Sequence, residues 1–186
     1  DVDAARETAA RLRASTADAA DRAVKVAEAL GFVGDDERLL ELVRETEATP
    51  HPFILRLGGV AAWRLGRGDE ALALWQAAQR LDPNDELVRD ALIDLKRPVG
   101  LREGPSAFPL QEWVSYSVVQ ELQRAVERAR GEAAVHAAAR SVVERHPHLE
   151  RLAPLLLERV GKGGREYILG LAGLAQTPAL LEAVRD

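Results

Sequence analysis

The sequence contains no cysteine and no methionine. Without thiols it forms no disulfide, offers no thiolate nucleophile and builds no zinc ribbon. Aromatic residues make up only 4% of the chain, which leaves little material for strands. Of 25 basic residues, only Lys25, Lys96 and Lys162 are lysine, an arginine bias of the kind a GC-rich bacterial genome imposes. No basic stripe or polybasic cluster recommends a nucleic acid or an anionic membrane as partner. No apolar run reaches the ~18–20 residues of a membrane span. No signal peptide is visible, so a cytoplasmic location is expected. The chain begins at Asp1 and ends in an uncapped helical pattern, Ala183-Val184-Arg185-Asp186; it reads as a piece of a longer protein.

What is abundant is Ala and Leu, 32 and 27 of 186 residues. These are the strongest helix formers. Apolar residues are 47% and charged residues 30% of the chain, which excludes disorder throughout and leaves enough material for a core. The net charge of −5 arises in residues 1–100, where 19 acidic residues face 14 basic ones; residues 101–186 balance at 11 each.

Apolar spacings of three and four predict helices over 18–30, 35–48, 53–65, 69–81, 85–95, 110–129, 132–145, 149–160, 165–175 and 178–186, after an Ala-rich helix at 2–14. Glycine and proline punctuate them in a recurring way. Gly34 precedes Pro50, Gly68 precedes Pro83, Gly131 precedes Pro147 and Gly163 precedes Pro178, each by 15 or 16 residues. The glycines suit tight turns between helices, and the prolines sit where a helix has ended. Gly34 and Gly68 lie 34 residues apart. A stretch from Arg97-Pro98-Val99-Gly100 to Phe108-Pro109 is too rich in proline and glycine for helix.

The segment Leu57…Gly59…Ala62…Leu65-Gly66-Arg67-Gly68-Asp69-Glu70-Ala71…Trp75…Ala78…Leu81-Asp82-Pro83-Asn84-Asp85 resembles a tetratricopeptide repeat. Small residues stand where two helices cross closely, and Leu57, Trp75 and Leu81 are placed to fill between them. It departs from that family at Leu55, where a bulky aromatic is usual. In the preceding unit Arg38 stands where a small residue is expected. The units at 112–147 and 149–178 keep only the punctuation and are equally compatible with HEAT-like helix pairs. The resemblance implies an all-α fold: a right-handed superhelical stack of antiparallel helix pairs, or TPR-like solenoid. The expected organisation is a stack with a capping helix over 1–96, a junction over 97–109 and a second helical-repeat stack over 110–186, truncated at its end.

Motifs for chemistry are thin. His136 and His146 are too far apart on one helix for one ion, and His146-Pro147-His148 does not share a face. They read as exposed or capping residues, and His51 as a turn residue. Gly161-Lys162-Gly163-Gly164 lacks the spacing of a phosphate loop. No serine lies in a nucleophile elbow. Asp35-Asp36-Glu37 and Asp69-Glu70 complement helix dipoles in first turns. No catalytic residue, cofactor or metal is therefore expected, and the chain reads as no enzyme.

The candidate site is a surface. The resemblance places Phe53, Arg56, Val60, Trp63 and Arg64 on the inner face of a helix stack, where Trp and Arg suit a peptide ligand. Val60 stands where carboxylate-clamping repeats carry Asn, which argues against a clamp for a peptide C-terminus. Trp63 either faces that groove or packs against the helix at 18–30. The implied function is a non-catalytic scaffold that binds a protein or peptide segment. The alternative is a regulatory or substrate-presenting region of a larger enzyme. Whether copies of the chain associate stays open.

Overall fold

The computed structural model describes residues 19–185; the helix expected at 2–14 lies outside them. About 78% of the described residues are helical, in ten α-helices, and no strand occurs among them. The expected all-α class holds. The chain divides into two units between Ala107 and Phe108.

The first unit contains α1 (Ala19–Val33), α2 (Asp36–Glu45), α3 (Pro52–Arg64), α4 (Gly68–Leu81) and α5 (Glu86–Leu95). Each packs on its neighbour in sequence, and α1 also packs on α3. Two glycines set the tight turns. Gly34 and Gly66 adopt φ of 70° and 75°, a left-handed conformation that costs glycine little. The next residue in each case, Asp35 or Arg67, donates its N–H back to Leu30 or Ala62, closing the helix end in a Schellman-like turn. The second turn thus uses Gly66, while Gly68 begins α4. Pro52 occupies the first turn of α3, and the His51 ring accepts the Phe53 N–H at 3.3 Å.

The close crossing of α3 and α4 follows from small residues. A Cβ at Gly59 would clash with the Trp75 indole, and one at Gly58 would meet Val43 and Leu74. Trp75 lies over this gap and donates its indole N–H to the Arg56 carbonyl at 3.2 Å. Leu57, Ala62, Ala71, Trp75 and Ala78 are all buried, as their pattern predicts. Leu81 differs: it is 49% exposed, because it falls on the last residue of α4, beyond the crossing.

The 97–104 segment is tied back to α5. Asp94, buried on α5, accepts the backbone N–H groups of Glu103 and Gly104 at 2.9–3.1 Å. Arg102 donates to the carbonyls of Leu95 and Arg97, satisfying acceptors that the helix end leaves open.

The second unit contains α6 (Tyr116–Arg128), α7 (Glu132–Arg145), α8 (His148–Arg159), α9 (Gly161–Ala175) and α10 (Pro178–Arg185). Its core gathers Val118, Leu122, Val142, Leu149, Leu156 and Ile168. The helix expected over 110–129 is a single turn of 3₁₀ helix at Leu110–Glu112 followed by α6. Phe108 is buried there and meets Trp113 edge-on, with ring centroids 6.1 Å apart. α9 starts at Gly161 rather than 165. Gly161 takes a φ of 57°, and a Cβ at Gly164 would lie 2.6 Å from the Leu156 carbonyl oxygen. This glycine run serves a tight α8–α9 junction.

Candidate binding groove

The five residues expected to line one inner face have different fates. Val60 is 1% exposed. It lies in the core, and the expectation of an open lining does not hold there: α3 is covered on most of its circumference, so this position turns inward. Arg56 donates to Asp85 at 3.0 Å, with both side chains largely buried, and its guanidinium lies over the half-buried Phe53 ring at 4.9 Å. Arg64 reaches Asp36 at 3.4 Å. The two arginines therefore bind α3 to the first turns of α5 and α2. The carboxylates complement the positive ends of those helices, and each arginine neutralises one of them.

Trp63 is half-buried. One side meets Trp75 at a centroid distance of 6.3 Å and a tilt of 38°. The Arg102 guanidinium lies over its ring at 5.5 Å, a cation–π contact. Of the five, Trp63 reaches an open site: a groove of about 620 Å³ between α4, α5 and the 97–104 segment.

The groove has an apolar floor. Leu72 of α4 is 37% exposed and Ile93 of α5 is 50% exposed, with Leu92 and Leu95 beside them. Gln76 and Gln79 supply neutral hydrogen-bonding groups on the α4 side. The charged lining is Arg89, Lys96 and Arg102 against Asp69. A cation-rich lining thus sits in the acidic part of the sequence. Helical spacing places Leu72, Gln76 and Gln79 on one ridge of α4. Repeat resemblance alone did not single out this ridge, because it pointed to α3.

Several titratable residues elsewhere hold helices together. The His136 ring contacts the Leu174 carbonyl at 2.8 Å through Nδ1, and Arg140, one turn on, donates to the Ala175 carbonyl at 3.3 Å. One face of α7 thereby caps the end of α9. His146 and Arg145, at the end of α7, both contact Glu121 of α6, at 2.9 and 2.7 Å. These contacts, the His146 one first, hold the Glu121 carboxyl below the usual glutamate range. Burial pushes the Tyr167 phenol up. No group of three or more His, Asp or Glu among the described residues is placed to hold a metal ion. No described helix is long and apolar enough to cross a membrane.

No protein-family model, curated protein or solved structure matches this chain.

Proposed function

We propose that the chain is a non-catalytic helical-repeat scaffold, built as a TPR-like superhelical stack in its first unit, that binds a protein segment. The observation that carries this reading is the α4–α5 groove, where large apolar side chains stand exposed beside three cations. Exposed apolar floors with polar rims are the form that protein-binding surfaces take. The small-residue crossing of α3 and α4, together with the 34-residue spacing of Gly34 and Gly68, supports the stacked-pair architecture. The ligand contacts move from the α3 face to this groove, because Arg56 and Arg64 are engaged between helices and Val60 is buried.

Panning a displayed random-peptide library on the full chain tests the proposal. Enriched peptides should protect amides of α4 and α5 from hydrogen exchange when bound. Failure to enrich any peptide that protects the first unit would contradict it.

A further inference from the structure

The chain's own repeat explains why the groove is open. On α3, Leu55, Gly58, Gly59 and Ala62 form a buried face, and Leu74 and Trp75 of the following helix, α4, lie against its two glycines. Thirty-four residues later, on α5 and at its C-cap, stand Arg89, Leu92, Ile93 and Lys96. All four line the groove. No helix follows α5 within the first unit: the next element is the 3₁₀ turn Val99–Leu101, and the 97–104 segment is held by Asp94 and Arg102. Among the described residues of the first unit, the face that α4 covers on α3 is therefore left without a covering helix on α5.

We infer that this groove receives an acidic amphipathic helix from a partner protein, which takes the place of the missing second helix of the pair. The inference rests on the scaffold reading above and gives it a ligand class. Helix geometry follows from the site. Both walls are helices, and their exposed residues repeat at helical spacing, Leu72 to Gln76 on one wall and Leu92 to Lys96 on the other, as in helix-in-groove recognition. The partner's apolar stripe at i, i+3, i+4 and i+7 would cover Leu72, Leu92 and Ile93. At the equivalent place α3 offers Gly58 and Gly59, whereas α5 offers Leu92 and Ile93. Its bulkier side chains hold the incoming helix further out than α4 sits on α3.

The sign of the partner follows from charge complementarity. Among the described lining residues, Arg89, Lys96 and Arg102 oppose one carboxylate, Asp69. Arg89 also contacts Glu86 at 3.4 Å in an exposed pair, and such a pair is weak enough to exchange partners. Acidic side chains flanking the apolar stripe would meet these cations, while a basic helix would be repelled.

The test uses a fluorescein-labelled 16-residue peptide of Leu, Ala and Glu, with Leu at the stripe positions and Glu on its flanks. One counterpart carries Lys for every Glu, and another carries a central Pro. Fluorescence anisotropy against the full chain should show saturable binding of the Glu peptide, with both counterparts at least about tenfold weaker. Ile93→Asp and Lys96→Glu, both at exposed positions, should each weaken the Glu peptide about tenfold or more, with the helical circular-dichroism signal unchanged. Lys96→Glu should at the same time strengthen the Lys counterpart.

Equal affinity for the Glu and Lys peptides would overturn the inference. So would the absence of Glu-peptide binding, or binding indifferent to Ile93→Asp. A wild-type dimer in sedimentation that Ile93→Asp abolishes would assign the groove to a second copy and overturn it too. The two readings fail separately. If the Glu peptide fails while library-selected ligands still protect the first unit, the acidic-helix inference falls and the scaffold stands. If the library also yields nothing, both fall.

Discussion

Gly59 and Gly170 both lack a side chain, but in opposite surroundings. At Gly59 an added Cβ would clash with the Trp75 ring, which is buried and held by its bond to the Arg56 carbonyl. A rigid indole cannot yield without opening the α3–α4 crossing, so Gly59→Ala should destabilise by about 1–3 kcal/mol. At Gly170, within α9, nothing lies within 4 Å of the added Cβ. There the substitution removes backbone freedom from the unfolded chain and should stabilise by about 0.5–1 kcal/mol. Denaturant midpoints of the two variants should move in opposite directions. If Gly59→Ala leaves the midpoint in place, the close α3–α4 approach is wrong. The importance of Gly59 was readable from the small-and-large pattern. The burial of Val60 was not, since its position on the expected inner face was inferred from repeat resemblance, and only the packing around α3 decides which way it turns.

At the scale of elements, two clamps join helices that the sequence shows separately. Asp85 accepts the Val88 N–H as the N-cap of α5 and receives Arg56 from α3. Asp85→Ala removes a cap, costing about 1 kcal/mol, and leaves a largely buried guanidinium without its carboxylate. The total loss should be about 2–4 kcal/mol. Asp85→Asn keeps the cap and should lose less; equal losses from the two would show that the ion pair with Arg56 alone matters and the cap contributes nothing. The second clamp joins α6 to α7. The His146 and Arg145 contacts lower the folded-state pKa of Glu121. A depressed carboxylate stabilises the fold above its unfolded pKa, and that contribution disappears as pH falls through the lowered folded value. The wild type should therefore lose stability in acid below the ordinary glutamate range, and Glu121→Gln should lose less over the same interval. Melts between pH 6 and pH 2.5 check this; parallel curves would remove Glu121 from the account. Most helices were legible because Ala and Leu recur at spacings of three and four. The clamps were not, because their partners stand 24 to 29 residues apart and meet only through helix crossings. The start of α9 was missed for a related reason: Gly161, Gly163 and Gly164 weaken any local helix signal, and close approach to Leu156 decides the matter.

At the scale of the whole molecule, the chain reads as two helical units with their own interiors, one of which presents an incomplete face. The all-helical class was legible from composition. The open groove was half legible: the 34-residue spacing was visible, but it needed α4 seated on α3 to show which face of α5 lacks a covering helix among the described residues. We propose that this protein holds its ligand in the α4–α5 groove. The most direct measurement is the affinity of a library-selected peptide for the full chain and for Ile93→Asp, with thermal melts of both proteins. Ile93 is half exposed, so the melts should nearly coincide, within the ~0.5 kcal/mol typical of surface changes. Burying a carboxylate against the ligand should weaken binding by about 2 kcal/mol or more, as at a hot spot. Unchanged affinity in a variant that melts like the wild type would place the binding site elsewhere and contradict the account.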